Sequence, residues 1–582
     1  MNHQKNQEHD LHDPRSAAAG SAAADCGVRT RTAAPSTGLV FVIGLALCGA
    51  LLLASISGWD LWNPDEPRYA QIAREMVETG QYIVPHINGG LYPDKPPLFF
   101  WLIAGTAKIA GDATAFAARL PSVLAALGIL ALTYVLGRRL FDPLAALIAA
   151  GILFTSENFF TTAVSVHIDP LLTLLTTAAI LLFHCGYRRF PGGAPFCYAA
   201  WVCMGLALLA KGPVGLCIPI IVCVLFLAAK KEWRSIGRLR FASGLLLAAG
   251  IMALWLVPAC ILGGEVYRDN ILFKQTLDRT VDSYSHRQPF YYFLINFPID
   301  FLPWSLFIPG ACIYFWKNRA RAGSIRLPLA WFAGVFLFFS MWSCKRSLYL
   351  LPLYPAAALL LAKFFADTVR TATAASPRVL TIPFGLLCGL LACCAILGAA
   401  VFAFGLEALQ PVRHAAGTLY AVSAVLICGG MLGILLLRRS ARPALMLGHV
   451  TMVTAVALFM LITLIFPAVN GIKSGRFFSE RIRERVGPDD RLSAAFEPEM
   501  FNYFLHRYPI PFVQDDQALR RTILAPAKNY ILMKKGKHNR LPEDLRANLS
   551  LLDRQTIGHQ EYVLLVNIPG ASPPAGTEQR SP

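Results

Sequence analysis

Apolar residues gather into long runs separated by short polar loops, and the runs predict membrane-spanning helices. The first, residues 38–58, is uncharged and long enough to cross a bilayer. Further spans are expected at 115–137, 143–160, 168–187, 196–211, 213–229, 241–262, 294–316, 326–343, 347–366, 378–404, 418–437 and 444–467. Residues 98–111 are also apolar, but at about 1.5 Å per residue they fall short of a ~30 Å core and read as an interfacial helix. The loop 59–114 breaks the apolar pattern. Within it Tyr69, Ile72, Ala73, Met76 and Val77 share one helical face, while Arg68, Gln71, Arg74, Glu75 and Glu78 occupy the other. Asp65 in the N-cap position, Pro67 in the first turn and Gly80 after the last complete the signature of a helix lying flat on a membrane surface.

The two ends of the chain are different. Residues 1–37 are rich in Ala, Ser, His and charge without apolar periodicity, and read as a disordered cytoplasmic tail. The run after them exceeds the apolar core of about 7–15 residues in a signal peptide, so it reads as a retained span. Cleavage is the competing reading. Residues 470–570 have ordinary polar content, with strand-like runs Arg491–Phe496, Tyr530–Met533 and Tyr562–Val566 and helical stretches near 497–506 and 541–549. They predict a small external α/β domain, followed by a Pro-, Gly- and Ser-rich disordered tail at 571–582.

Charge sets the orientation. Arg138 and Arg139, Arg188 and Arg189, Lys230 to Arg240, Lys317 to Arg326, Lys363 to Arg378, and Arg438 to Arg442 fall on one side when the spans alternate. That side is the cytoplasm by the positive-inside rule, which places the N-terminus inside and the C-terminal domain outside a plasma membrane. With 55% hydrophobic and 15% charged residues in 582, the composition is that of an α-helical polytopic membrane protein with about thirteen transmembrane helices. The net charge of +18 lies mostly in these short loops, so nucleic acid is not an expected partner and membrane lipids are. The fourteen cysteines lie almost entirely in or beside the apolar runs and lack metal-ligand spacing, which implies neither a disulfide framework nor a zinc finger.

Ionisable residues at the external ends of spans are expensive in lipid and normally face an interior cavity. Asp65, Glu66 and Arg68 open the first external loop, and Asp94 and Lys95 close it. Asp169, beside His167, begins the fourth span, and Lys211 occupies the turn after the fifth. Arg279 and His286 lie in the loop 263–293, and Lys345, Arg346 and Tyr349 lie in the turn before Leu-Pro-Leu-Tyr-Pro. Taken singly, Asp65 as a helix cap, Lys211 and Lys345 as snorkelling helix ends, and either histidine as a satisfied core residue need no function. All converge on one membrane face, which suits a lipid-tailed substrate with its phosphate at that boundary.

The Asp-Glu-x-Arg-Tyr entry, the amphipathic helix and the acid-Lys-Pro-Pro-Leu exit resemble the first external loop of polyprenyl-phosphate-dependent glycosyltransferases of the GT-C type. The nearer branch is the lipid A aminoarabinose transferase family of bacteria, with the protein O-mannosyltransferases more distant. The resemblance implies a transmembrane glycosyltransferase domain at 38–469, an undecaprenyl phosphate-linked sugar donor, and lipid A or another envelope acceptor at the inner membrane. It makes Asp65 the catalytic carboxylate and Asp169 a second essential acid. Glu66, Arg68, Lys95, Lys211, Arg279, Lys345 and Tyr349 then form the candidate binding set. A lipid-linked donor carries its own leaving group, so no cofactor is required for donor activation, and no nucleotide-binding glycine loop occurs in a suitable context. A divalent metal held by Asp94 and His286 is the remaining cofactor candidate. Two departures from the family pattern stand out: Asp rather than Glu precedes Lys95, and the turn reads Lys-Arg-Ser-Leu-Tyr. They keep open another sugar, and a protein hydroxyl or another envelope glycan as acceptor. From another class, a multi-spanning lipid or sugar transporter is the alternative, although such proteins tend to carry repeats and midplane charges.

Overall fold

The computed structural model describes residues 36–272, 288–318, 323–371, 378–403, 416–439 and 442–568. Ten helices among them are long and apolar enough to cross a membrane, and two bent helix pairs raise that number to twelve. Among the described residues the first ten α-helices are α1 Thr37–Ser55, α2 Asp65–Thr79, α3 Leu98–Ala110, α4 Ala115–Leu140, α5 Pro143–Phe154, α6 Glu157–Ala163, α7 Asp169–Arg188, α8 Ala194–Lys211, α9 Val214–Lys230 and α10 Phe241–Asp269. Every expected span overlaps a helical segment, but three are not plain spans. The expected helix 143–160 is the pair α5 and α6, bent by 68°. At the bend the Glu157 amide donates to the Leu302 carbonyl instead of continuing the helix. The segment 294–316 bends by 108°, near Pro303, which has no amide hydrogen to donate. Helix α9, at 17 residues, is shorter than the helices that qualify as full spans.

The C-terminal unit is a four-stranded sheet of β3 Arg491–Ala494, β4 Asn529–Lys534, β5 Leu549–Ile557 and β6 Gln560–Asn567, numbered after a two-stranded hairpin of β1 His86–Ile87 and β2 Gly90–Leu91. Its spatial order is β3-β4-β6-β5, parallel between β3 and β4 and antiparallel elsewhere. The central strands alternate in register. Ile531, Met533, Val563 and Leu565 pack beneath Leu519 and Ile523 of the helix Asp516–Ile523. Tyr530, Leu532, Tyr562 and Leu564 pack on the other face, in one cluster with Phe501, Tyr69, Phe99 and Phe100. Strand β5 is absent from the pattern reading because it is an edge strand, where Asp553, Arg554 and Gln555 interrupt the apolar period.

That shared cluster corrects the reading of α2 as a helix lying on a lipid surface. The middle of its polar face is buried as deeply as its apolar one: Gln71 is 0% and Glu75 1% exposed, while Arg68 is half-buried and Glu78 is exposed. The α/β unit supplies the cover. Arg74 donates to the Tyr503 carbonyl and pairs with Asp112, while Glu75 accepts from the amides of Asn88 and Gly89. A polar face satisfied by protein partners needs neither water nor lipid headgroups.

Candidate active site

Asp65 is the first residue of α2, and Pro64 stands at the cap position without a side-chain cap bond. The expected N-cap role of Asp65 is therefore corrected: its carboxylate is turned away from the helix amides and pairs with Arg346 at 3.0 Å. Pro67 and Gly80 hold their expected places, Gly80 with φ 72° and its amide on the Met76 carbonyl. Burial raises the Asp65 carboxyl, but the charges of Arg346 and Arg68 and the Arg346 hydrogen bond outweigh it and hold the group below its ordinary value. Burial pushes His167 below the ordinary imidazole range against the pull of Asp169 and Asp65, so the ring stays neutral near pH 7.

Glu66 follows one residue later with a different task. Both of its oxygens meet the guanidinium of Arg119 at 3.0 and 2.9 Å, and the amides of Val166 and Trp62 donate to them at 2.8 Å each. Arg119 is 0% exposed, spends its other hydrogens on the carbonyls of Ile56, Trp59 and Asp60, and stacks 3.4 Å over the Trp59 ring. Glu66 thus has a scaffold role among the expected binding residues. It ties α2 to α4 and to the turn before α7. Arg119 escaped the sequence reading, although one arginine inside an apolar run was the signal for it.

The other expected residues within the described part of the chain divide into four sets. Asp169 and Lys211 pair at 2.5 Å, with the Lys211 ammonium 4.6 Å from the centre of the Tyr349 ring. Lys345 is buried and its ammonium donates to the carbonyls of Gln288 and Trp342. It is Arg346, its neighbour, that reaches Asp65. Arg68 lies 3.9 Å from Asp65 and is bonded at 2.5 Å to Glu499 of the α/β unit, a partner that nothing in the sequence marked. Lys95 donates to the Asp94 carbonyl at 3.3 Å, and both are half-buried. Arg279 and His286 fall outside the described residues. Among the described residues no group of three or more His, Cys, Asp or Glu side chains is arranged to hold a metal, so ligation through Asp94 gains no support.

Asp65, His167, Lys345 and Arg346 line one cavity of about 540 Å³, closed elsewhere by Trp59 and Phe466. Two basic side chains and an ionised carboxylate therefore share a half-enclosed polar chamber where the first loop meets the helix bundle. That arrangement can hold a phosphate beside a carbon that develops positive charge.

The model of the dolichyl-phosphate-mannose-protein mannosyltransferase family matches residues 39–268. An undecaprenyl phosphate-α-4-amino-4-deoxy-L-arabinose arabinosyl transferase of Edwardsiella ictaluri is 32% identical over 318 residues, covering 54% of this chain and 57% of that protein. The matched region thus spans a little over half of that relative's length. A protein of the same name from Pectobacterium carotovorum is 31% identical over 398 residues, covering 66% of this chain and 68% of the relative. The fold is that of ArnT from Cupriavidus metallidurans, solved bound to undecaprenyl phosphate, with a TM-score of 0.74 at 22% identity over 93% of this chain and 100% of that one.

Proposed function

Because the chain belongs to the undecaprenyl phosphate-α-4-amino-4-deoxy-L-arabinose arabinosyl transferase family of GT-C membrane glycosyltransferases, we propose that it transfers this amino sugar from an undecaprenyl phosphate carrier to lipid A. The observation that carries the reading is the Asp65–Arg346 pair in the wall of the polar cavity. As the bond from the anomeric carbon to the carrier phosphate breaks, positive charge grows on the sugar and negative charge on the phosphate. Asp65 stabilises the first. Arg346 spends one nitrogen on Asp65, and its remaining N–H groups hold the second. An acceptor phosphate on lipid A is already ionised, so Asp65 orients and stabilises rather than deprotonates. The Asp169–Lys211 pair fixes the adjacent wall against Tyr349.

The reaction belongs at the outer face of a bacterial inner membrane, with the N-terminus cytoplasmic and the α/β unit periplasmic, as the charge parity of the loops supports. Mass spectrometry of lipid A from cells with and without this chain is the direct test, and a mass increment of the amino sugar only in its presence is expected. The purified protein should be inert with UDP- or GDP-linked sugars. Turnover of a nucleotide sugar without lipid carrier would overturn the reading.

A further inference from the structure

Both acids assigned to the transfer site are already neutralised by cations, Asp65 by Arg346 and Asp169 by Lys211. Another part of the same cavity wall is built differently. Thr161, Thr162 and Ser165, from α6 and the turn after it, line the cavity together with Ser347. The three α6-side hydroxyls have committed their protons inside the protein. Thr161 donates to the Glu157 carbonyl at 3.0 Å, Thr162 to the Asn158 side-chain oxygen at 3.1 Å, and Ser165 to the Thr161 carbonyl at 2.8 Å. A hydroxyl has one proton and two lone pairs, so these groups offer an occupant acceptors only.

Two carboxyl groups stand behind them. The Thr161 oxygen lies 3.5 Å from the Glu157 carboxylate, Ser347 neighbours the Asp300 carboxyl, and the two carboxyls are within electrostatic range of each other. No cation among the described residues is paired with either. Trp59, 3% exposed in the wall of the same cavity, has an indole N–H without a partner among the described residues. Such a donor is left for an oxygen of whatever fills the chamber. Two half-buried carboxyl groups behind an acceptor-only surface are costly to ionise without a cation beside them and favourable to ionise with one.

We propose that this wall is the subsite for a protonated amino group on the transferred sugar. Thr161, Thr162 and Ser165 accept hydrogen bonds from the ammonium, and Glu157 and Asp300 supply the balancing charge. A sugar with a hydroxyl at that position brings no charge to the two acids and is rejected, since a site built for a charged donor leaves polar groups unmatched with a neutral analogue. The assignment rests on the transfer reading of the cavity and adds the residues that select the sugar.

The test uses the full chain in nanodiscs with lipid A and two carriers, undecaprenyl phosphate bearing 4-amino-4-deoxy-arabinose and the same carrier bearing arabinose. Wild type is expected to favour the amino donor by about tenfold or more in kcat/KM, and Glu157→Gln or Thr161→Val to lower that ratio by about tenfold each. Glu157→Asp should restore part of the preference, and Ser165→Ala repeats the measurement if the Glu157 variant fails to fold. Equal kcat/KM for the two donors in wild type, or variants that slow both donors alike, would overturn the subsite while leaving the transfer reading intact. Transfer from neither donor by wild type would overturn the reading itself and the subsite with it.

Discussion

At the scale of single residues the neighbours Asp65 and Glu66 have separate tasks, and the separation gives distinct expectations. Since Pro64 rather than Asp65 occupies the cap position, Asp65→Asn should leave α2 and the amount of folded protein unchanged. Turnover should fall by about 10²–10³, the usual loss when one preorganised electrostatic contact is removed. Near-normal turnover of Asp65→Asn would move the catalytic assignment to Asp169. Arg346→Lys keeps the charge but loses the planar fork that serves Asp65 and a phosphate together, so kcat/KM should recover only partly relative to Arg346→Ala. The pH dependence follows from the depressed Asp65 pKa. A carboxyl held below its ordinary value stays charged, and contributes to stability, at every pH above that value, and loses this only as pH falls through the folded pKa. The kcat/KM profile should therefore show no acid limb from Asp65 between about pH 5 and 8. A limb in that range that disappears in Asp65→Asn would contradict the Arg346 pairing.

At the scale of elements, the first loop is held by charge buried in protein rather than by its amphipathic face alone. Arg119 anchors α4 to the start of α2 through Glu66, and to the end of α1 and the start of the first loop through three backbone carbonyls. Its removal leaves the Glu66 carboxylate and those carbonyls unmatched in the interior. Arg119→Met is expected to destabilise the protein by about 3–5 kcal/mol, as breaking a buried pair does. The double variant Arg119→Met with Glu66→Gln should recover part of that loss, because it removes the stranded charge as well. Thermal unfolding in detergent reads both. An unchanged melting temperature for Arg119→Met would show that the pair contributes little. The bent pair α5 and α6 belongs to this scale too: its break puts Thr161, Thr162 and Ser165 on the cavity wall, which a straight helix over 143–160 would not require.

At the scale of the whole molecule, the α/β unit is part of the structure of the site. It covers α2 through the shared apolar cluster and through the Arg68–Glu499 and Arg74–Tyr503 contacts, and Arg68 in turn stands beside Asp65. Truncation after residue 473 would remove the Glu499 and Tyr503 partners of Arg68 and Arg74 and uncover the apolar cluster that α2 shares with the α/β unit. We expect the truncated chain to enter the membrane but to lose transfer activity, and co-expression of residues 474–582 with a secretion signal to be the informative rescue. Full activity of the truncated chain would make the unit dispensable. Orientation is a second property of the whole chain. In a cysteine-depleted background, Arg546→Cys should react with an impermeant thiol reagent from outside intact spheroplasts, and Arg234→Cys only after permeabilisation. Labelling of position 234 from outside would reverse the topology.

The sequence by itself determined the class of protein, the positions of nearly all the spans and the importance of the first loop. These features are written in local composition: apolar runs must be long enough for the bilayer, and charge between them is confined to loops. It also marked Asp65, Asp169, Lys211 and Arg346, since an ionisable group at the end of an apolar run stands out against its neighbours. Tertiary structure alone decided who meets whom. The contacts Asp65–Arg346, Asp169–Lys211 and Arg68–Glu499 join residues 281, 42 and 431 positions apart, a choice that no local period encodes. It likewise decided that Lys345 turns to backbone carbonyls while Arg346 takes the carboxylate, and that the polar face of α2 meets protein instead of a membrane surface. A polar face reads the same in sequence whether water, headgroups or another part of the chain satisfies it, because the hydrogen-bonding demand is identical and only the fold supplies the partner.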